Sequence, residues 1–363
     1  MAFRGIHPAP KIEPTEFGLF AYARPESITK EPGYETKWVR GYSQSYITSP
    51  NYVRLWDETS TFSYVIASNP AYPLFRTVQP IFIEVEDYHS TFDLTGEDRF
   101  QRVIDQLEGV SQKTLEYELW NGEIANAAGL ATVFFTKSTV TVIAGGTAFS
   151  PRRGMALLEH YAGEMSAAGE HGVVHLTRDA FNLIAGNSQI FLHEQGKQHI
   201  QTVTGTPVII GSGYSGDGPH VAINTIAVST NVATFVTTGA HYMAAGETFE
   251  VTTDAGGTAF DGTWTVKAVT NSTTFTADIT ASNQSATSTP GWVQMKGDDD
   301  TKWIYATGQV HAHLGEIDVV NDNIAQGYDV AGNRNDMRIK AQRPAVAYFD
   351  PSIHLGIKLD LTA

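Results

Sequence analysis

Apolar and polar residues alternate along the C-terminal end of the chain. The alternation runs through residues 303–314, 337–349 and 353–361, and residues 329–335 have the composition of a turn. A period of two residues is typical of strands that bury one face. The pattern therefore predicts long strands arranged around a turn, with the end of the chain fixed in a sheet.

A second pattern has the period of an α-helix. Apolar residues recur at helical spacing at Phe100, Val103, Ile104, Leu107, Val110, Leu115 and Leu119. Thr95 to Asp98 has the composition of a capping box, and Asn121-Gly122 suits a helix end. We predict a helix over residues 97–120, about 35 Å long at about 1.5 Å per residue.

Shorter elements are predicted on both sides of this helix. Five prolines exclude a helix or a central strand within residues 1–45, which we interpret as an extended arm lying across another subunit. Packing of the arm on its own domain is the alternative. Short β-prone runs separated by prolines predict a long hairpin between residues 46 and 85.

Further elements follow the long helix. Residues 131–135 and 138–143 predict a pair of strands, and Ser150-Pro151 predicts the start of a second helix, because proline suits the first helical position. A strand at residues 173–176 and a short helix at residues 178–185 come next.

Residues 218–291 differ in composition from the rest of the chain. About a quarter of them are threonine, and Lys267 is their only basic residue. Short β-prone runs alternate with turns, and the flanking stretches are rich in glycine. We predict a small inserted β domain whose two ends lie close together.

Composition limits the possible functions. The chain has 363 residues, 42% of them hydrophobic, and no cysteine, so it can form two or three cores but no disulfide or thiolate site. No run of 18 apolar residues and no signal-peptide core occur, so we expect a protein that starts out soluble in the cytoplasm, with no membrane partner. A formal charge of −15 argues against tight wrapping of nucleic acid.

Two histidine patterns suggest metal chemistry. His193 and His199 stand six residues apart with Gly196 between them, whereas a zinc protease needs two histidines four apart on one helical face. His311 and His313 fall on one face of a predicted strand and could share a metal, but we favour surface or interface imidazoles. We therefore assign no metal ligand.

Three other motifs lack what their chemistry requires. The segment from Gly213 to Asp217 lacks the last glycine of a nucleophile elbow, and a solvated turn explains the run from Asp298 to Asp300. No glycine-rich loop carries the residues of a phosphate cradle. We therefore predict no catalytic residue, no cofactor-binding residue and no enzymatic activity.

The sequence resembles the major capsid proteins of tailed bacteriophages, the HK97 fold family. The resemblance rests on the order of arm, two-stranded loop, long helix, compact domain and returning strands, and on the text Arg343-Pro-Ala-Val-Ala-Tyr-Phe near the chain end. It covers the chain except for the inserted residues. These are similar to β modules of phage structural proteins, which are often immunoglobulin-like.

The resemblance implies an α+β fold with five parts. They are an arm at 1–45, an extended loop with lead-in strands at 46–94, a peripheral domain at 95–145 and 308–350 with a spine helix at 97–120, an axial domain at 146–217, 292–307 and 351–363, and an inserted β domain at 218–291.

The function that the resemblance implies is structural. Many copies of the chain would assemble in the host cytoplasm as hexamers and pentamers of an icosahedral head, and the protein would become part of the virion. The head would enclose double-stranded DNA without sequence-specific binding. A separate scaffolding protein and a portal are the other expected partners.

Some members of the family crosslink their subunits through a lysine on the extended loop and an asparagine. Lys37 with Asn333 or Asn335 are conceivable partners, although a surface lysine and turn-forming asparagines explain the same residues. Three other functions stay open: an encapsulin-like compartment, a tail or adhesin protein that binds glycans through the insert, and a hydrolase, which the broken motifs disfavour.

Overall fold

The computed structural model describes residues 16–23, 26–28, 42–46, 52–55, 63–66, 74–78, 80–90, 99–124, 133–165, 172–186, 191–192, 200–254, 259–322 and 336–363. The helices of this part of the chain are α1 (Leu19–Ala23), α2 (Arg99–Asn121), α3 (Pro151–Met165) and α4 (Arg178–Gly186).

The strands follow in chain order. They are β1 (Glu26–Ile28), β2 (Tyr42–Tyr46), β3 (Tyr52–Leu55), β4 (Ser63–Ile66), β5 (Leu74–Val78), β6 (Ile81–Ser90), β7 (Thr141–Val142), β8 (Val173–Thr177), β9 (Phe191–Leu192), β10 (Ile200–Thr202), β11 (Pro207–Gly211), β12 (His220–Ser229), β13 (Val232–Thr237), β14 (Thr248–Thr253), β15 (Gly262–Asn271), β16 (Thr274–Asp278), β17 (Gln284–Ser288), β18 (Gly291–Met295), β19 (Thr301–Thr307), β20 (Val310–Gly315), β21 (Asp318–Asp322), β22 (Asp336–Phe349) and β23 (His354–Asp360).

The first sheet, which we call the spine sheet, is built on the long strand β22. β6 pairs antiparallel along one edge of β22, β20 and β21 share the other edge, and β1 adds in parallel to β20. α2 packs on β6 and β22, so Val103 and Leu107 are fully buried in one core with Ile83, Ile339 and Ala341. The predicted long helix is confirmed from Arg99 onward, whereas its capping box lies outside the described residues.

The second sheet, the central sheet, has the strand order β7-β23-β19-β8-β11-β10-β9. α3 packs on β23 and β19, and α4 packs on β8 and β11. α3 starts at Pro151, as predicted, and the Ser150 carbonyl accepts the Gly154 N–H at 2.9 Å. Helices and sheets are thus combined in one chain, and the predicted α+β class is confirmed.

The chain crosses twice between these sheets at the same place. The single strand predicted over residues 303–314 is two strands, β19 in the central sheet and β20 in the spine sheet. Gly308 lies between them, and Asp350 lies between β22 and β23. The Gly308 N–H donates to the Asp350 carbonyl at 3.1 Å, and the Asp350 N–H donates to the Gln309 carbonyl at 2.9 Å. A Cβ on Gly308 would lie 2.6 Å from the Asp350 carbonyl oxygen, so glycine permits the crossing.

The third body of strands, the insert barrel, is a closed ring. β12, β13, β16, β15, β14 and β18 pair antiparallel in that order, and β18 returns to β12, while β17 also pairs with β12. Phe235, Phe249 and Phe275 are fully buried within the ring. The final strand β18 ends at Met295, so the ring extends past residue 291, where we predicted the insert to end.

Two long strands close the insert barrel by passing from one half of it to the other. β12 changes register between Ile223 and Thr225, and β15 changes register between Val266 and Ala268. β12 pairs with β18 through Ala222 and with β13 from Ile223 onward, and β15 pairs with β14 through Thr265 and with β16 from Val266 onward. Corner strands with bulges are typical of orthogonally packed sheets. The predicted β character is observed, whereas the immunoglobulin-like shape stays unconfirmed.

Four of the strands before α2 form two nested antiparallel pairs. β2 pairs with β5, and β3 pairs with β4 inside them. This is the pairing of one long hairpin, as the sequence predicts.

Two sequence predictions fail near α2. In place of a strand at residues 131–135, the chain at residues 133–140 makes turns. The N–H groups of Phe135 and Thr136 donate to the carbonyls of Leu119 and Trp120, at 3.0 and 3.1 Å. Carbonyls in the last turn of a helix have no hydrogen-bond donor within that helix. Here the N–H groups of residues 135 and 136 supply the donors, so this segment binds the helix end and does not join a sheet.

The second failure concerns the arm. Residues 17–23 pack on their own subunit, because Leu19 is fully buried in the core under α2 and the Phe17 carbonyl accepts the Ile210 N–H at 2.9 Å. The expectation that the arm lies across another subunit is therefore wrong for this stretch. Residues 1–15 lie outside the described part of the chain.

Candidate functional site

The spine sheet, the central sheet and the insert barrel meet at the C-terminal half of α2, and several buried polar groups converge there. Glu116 is fully buried on this helix. It accepts the Leu19 N–H at 2.9 Å, the Gln112 Nε2 at 2.7 Å, the Gly213 N–H at 2.9 Å and the Ser212 hydroxyl at 3.2 Å. Four donors compensate the loss of hydration of one carboxylate, so Glu116 fixes both α1 and the loop after β11 to the helix.

Glycines allow this close approach. A Cβ on Gly18 would lie 1.8 Å from Gln112 Nε2, and a Cβ on Gly213 would lie 2.2 Å from the Lys113 carbonyl oxygen. Any side chain at either position would push its segment away from α2. Close packing against α2 thus explains why glycine stands at position 213, in the broken nucleophile motif.

An aromatic cluster continues the junction. The Trp120 ring lies 5.6 Å from Phe135, 4.9 Å from Tyr214 and 5.0 Å from Tyr305, centroid to centroid. Trp120 Nε1 and the Tyr305 hydroxyl both donate to the Asp217 carbonyl, at 3.2 and 3.0 Å. One backbone carbonyl thereby joins the helix to the central sheet at the start of the insert.

His175 lies beside this cluster without contact to solvent. Its Nδ1 is 3.0 Å from the Tyr214 hydroxyl and its Nε2 is 2.8 Å from the Thr307 hydroxyl. Burial, together with the charge of nearby His354, lowers the pKa of His175 to about 3. The imidazole is therefore neutral at physiological pH and serves as a packed hydrogen-bonding group.

The two ends of the insert lie side by side, as predicted. The Gly218 N–H donates to the Met295 carbonyl at 2.9 Å, and the Gln294 side chain donates to the Gly218 carbonyl at 3.0 Å. Asp217, 2% exposed, pairs with Lys296 at 2.6 Å. An ion pair therefore joins the residues just outside the first and last strands of the insert barrel.

The base of the insert barrel is also clamped to the central sheet. Lys358 on β23 is buried, and its Nζ donates to Glu247 at 2.5 Å and to the Tyr242 carbonyl at 3.1 Å. Tyr242 has a φ of 58°, an uncommon value for an aromatic residue, and its ring packs 5.9 Å from Trp303. These contacts attach the insert to the body, which the sequence alone did not indicate.

Several candidate residues from the sequence lie outside the described part of the chain. These are His193, His199, Lys37, Asn333 and Asn335. The metal and crosslinking hypotheses built on them stay untested.

His311 and His313 do share one face of β20, as the alternation predicts. Tyr348 on β22 stacks on both imidazoles, at 5.3 and 5.9 Å, and its hydroxyl lies 3.2 Å from His313 Nε2. The pair thus has an aromatic partner. Across the described ranges, no group of three His, Asp or Glu residues is placed to hold a metal ion.

The other two motifs are built into turns and packing. The Ser215 hydroxyl donates to the Asn121 side chain at 3.3 Å and accepts the Asp217 N–H. Asp298 accepts the N–H groups of Asp300 and Thr301, at 3.0 and 2.7 Å, which closes a tight turn. No helix within the described ranges is both long and apolar enough to cross a membrane.

Exposed apolar side chains mark surfaces that another molecule could cover. Phe82 on β6 is 66% exposed, and Val203 at the tip of the β10–β11 hairpin is 58% exposed. The hydroxyls of Thr202, Thr204 and Thr206 all donate to Glu159 on α3, which holds this tip in place. Tyr161, Met165 and Leu183 are also exposed on the neighbouring helices α3 and α4. Sequence reasoning missed these positions, because the apolar pattern of a strand or helix does not reveal which side chains stay uncovered.

Solved structures that match nearly the whole chain include shell proteins. The capsid of cyanophage P-SCSP1u is 9% identical with a TM-score of 0.41, covering 99% of this chain and 92% of that one. The capsid of an empty GTA particle is 9% identical with a TM-score of 0.43, covering 99% and 93%. The holo-SrpI encapsulin from Synechococcus elongatus is 9% identical with a TM-score of 0.38, covering 99% and 96%.

No protein-family model and no curated protein matches the chain. The identities and TM-scores of the structural matches are low, so they carry no conclusion about what this chain binds or does. Phage capsids, the class of protein that the sequence resembles, are among the matched structures.

Proposed function

We propose that the protein is the major subunit of an icosahedral phage head. Many copies form hexamers and pentamers, which close around double-stranded DNA with the help of a separate scaffolding protein and a portal. The observation that supports this most is the order of parts in one chain: a long hairpin (β2 to β5), the 23-residue helix α2 on the spine sheet, and a second, central sheet. This is the layout on which the sequence resemblance rests.

The buried polar groups support a structural role. Glu116, Asp217 and His175 are each held by several hydrogen bonds inside the junction, where no substrate could reach them without unfolding. Catalytic groups need access to the reacting atoms. These groups instead fix the mutual positions of three bodies of strands, which a repeating shell requires, since each subunit contact recurs in closed rings.

Charge fits a container better than a DNA-binding protein. The net charge of −15 disfavours the counterion release that drives tight binding to DNA. We place the insert barrel on the outer surface of the shell. Residues 218–291 contain one lysine and no arginine, and that lysine, Lys267, is paired with Asp278. The insert therefore offers no unpaired lysine or arginine to packaged DNA.

The deciding experiment measures the particle itself. Purified protein, alone and with its scaffolding protein, is examined by analytical ultracentrifugation and electron microscopy. We expect closed particles of megadalton mass and no hydrolytic activity, whereas a monomer or small oligomer under all conditions contradicts the proposal. Particles that hold a protein cargo in place of DNA when isolated from their native source identify a compartment of the encapsulin kind.

A pair of variants tests which surface assembles. Val203→Asp places a charge on the fixed hairpin tip of the central sheet, and Val269→Asp places the same charge on the insert barrel, where the side chain is 39% exposed. Both subunits should fold, because exposed substitutions have small effects on stability. Val203→Asp should block particle formation and Val269→Asp should not; the reverse result would show that the insert barrel makes the contacts.

A further inference from the structure

Three charged side chains meet where the insert barrel joins the body. The Lys296 Nζ lies 2.6 Å from Asp217 Oδ2 and 3.1 Å from Glu250 Oε2. The other Asp217 oxygen accepts the Gly297 N–H at 2.8 Å, so the carboxyl group is held in one orientation. Asp217 is almost wholly buried, and both carboxylates contact the same amine.

The position of this cluster in the chain is as informative as its geometry. Asp217 comes just before β12, the first strand of the insert barrel, and Lys296 comes just after β18, the last strand. The Lys296 N–H extends the β18 ladder onto the Thr248 carbonyl of β14 at 2.9 Å, and Glu250 stands opposite Gln294 on the same two strands. A covalent bond between Asp217 and Lys296 would close the insert at its base.

We propose that Lys296 and Asp217 condense without another enzyme to form an isopeptide bond within the chain, with Glu250 carrying the proton. The Lys296 amine attacks the carboxyl carbon of Asp217, so that a C–N bond forms and a C–O bond breaks. An ammonium and a carboxylate become one amide and one water, so atoms and charge balance and no oxidant or co-reactant is needed.

Glu250 is the group that makes the step possible. The amine must lose two protons, one before and one after it attacks, and the departing oxygen of Asp217 must gain both to leave as water. Glu250 Oε2 is within hydrogen-bond reach of Lys296 Nζ and can accept a proton from it and return it to the leaving oxygen. The fixed contact replaces a bimolecular encounter, which is the main source of rate in such reactions.

Electrostatics make the reaction slow. Burial acts to lower the pKa of Lys296, but the charges and hydrogen bonds of Asp217 and Glu250 together raise it. The ammonium is therefore the resting form, and the reactive neutral amine is a minor species. A reaction that happens once in the life of the molecule can tolerate this, because the amide is stable after it forms.

Two other lysine pairs serve as internal controls. Lys358 contacts Glu247 at 2.5 Å, but its other partner is the Tyr242 carbonyl, which cannot carry a proton. Lys267 contacts Asp278 at 2.7 Å, but both side chains are largely exposed, so water competes with the amine and stabilises both charges. We expect neither pair to condense.

The test is the intact mass of the purified full chain, followed by peptide mapping. The bond removes the mass of one water and links the tryptic peptide of Asp217 to that of Lys296. Lys296→Arg keeps the ion pair but cannot form the amide, and Glu250→Gln keeps both reactants but removes the proton carrier. We expect the mass loss in the natural protein, none in Lys296→Arg, and a much slower loss in Glu250→Gln.

Two results would contradict the proposed isopeptide bond. An unchanged mass after prolonged incubation of the folded natural protein would leave an ion pair only, and the proposal would be wrong. Linked peptides at Lys267 or Lys358 would show that the three-group geometry does not select the site. The proposal does not depend on shell assembly, since soluble subunits suffice for the measurement.

Discussion

The base and the outer part of the insert barrel are surrounded by different environments. At the base, Glu247 and Tyr242 bind Lys358 of the central sheet, and the buried Asp217 binds the partly exposed Lys296. In the outer part, β17 and the second half of β15 are mostly exposed and consist mainly of polar and small residues. The difference teaches that the insert is a part of the body at one end and a surface module at the other. Substitutions should therefore have effects that depend on which end they touch.

The largest effect is expected where the body is packed most tightly. Leu107→Asp would bury an unpaired carboxylate under α2 at a cost of several kcal/mol, so the protein should be insoluble. Val269→Asp, on the outer part of the insert barrel, should leave the yield of soluble protein unchanged. Soluble, folded Leu107→Asp protein by circular dichroism would contradict the assignment of the core.

A comparison of two N-terminal truncations tests whether α1 belongs to the core of the subunit. Removal of residues 1–15 should leave the stability of the subunit unchanged, because Leu19 and its hydrogen bond to Glu116 remain. Removal of residues 1–25 deletes a fully buried leucine and leaves Glu116 with one donor fewer, at a cost of about 2–5 kcal/mol. Urea unfolding of both variants measures the difference; equal stabilities would show that α1 does not contribute to the core.

Removal of the insert tests its base directly. Replacing residues 220–295 by a short Gly-Ser linker keeps Asp217 and Lys296, whereas a deletion from residue 217 would also remove the carbonyl that binds Trp120 and Tyr305. The subunit should still fold, but its free energy of unfolding should fall by about 3 kcal/mol, because the buried Lys358 ammonium is left without Glu247.

Adding Lys358→Met to this deletion removes the uncompensated charge and should restore much of the loss. The free energy of unfolding of the two deletion variants decides the point. If the second substitution destabilises the subunit further, the ion pair is not what ties the insert to the body. In assembled particles, the deletion should also remove density that projects from each capsomer.

The effect that is smallest, when counted per histidine and per pH unit, depends on pH. Burial lowers the pKa of both His175 and His220 to about 3, partly opposed in His220 by a hydrogen bond to Gln294. In the unfolded chain these histidines take up protons as the pH falls below about 6.5, whereas in the folded chain they stay neutral. Their contribution to the free energy of unfolding is therefore present above pH 6.5 and is lost as the pH falls toward 3. Each costs about 1.4 kcal/mol per pH unit within that window.

Urea unfolding between pH 7 and pH 5 measures this slope. His175→Gln should reduce the slope, because it removes one of these two buried imidazoles. An unchanged slope in His175→Gln would mean that this imidazole is not buried in its neutral form.

The sequence predicts local elements well where their pattern is long and regular. The apolar stripe from Phe100 to Leu119 predicts α2, and Ser150-Pro151 predicts the start of α3. The strand predicted at residues 131–135 fails because the carbonyls of Leu119 and Trp120 capture its N–H groups, a tertiary contact that no local pattern reveals.

The junction could be predicted only in part. The sequence marks Gly213, Ser215 and Asp217 only as a broken catalytic motif, because their partners Glu116 and Lys296 lie far away in the chain. Polar residues such as Glu116 on an otherwise amphipathic helix are expected to face solvent. Its burial follows from donors that α1 and the loop after β11 bring to it, and these depend on the complete fold.

The paired crossing at Gly308 and Asp350 has a mechanical meaning. Two neighbouring segments that are hydrogen-bonded to each other resist sliding and twisting more than a single connecting segment would. The crossing therefore sets the angle between the spine sheet and the central sheet, as the contacts at the end of α2 also do. If copies of the chain form rings of different size, as we propose, the difference between the rings has to be taken up at the contacts between subunits and not at this crossing.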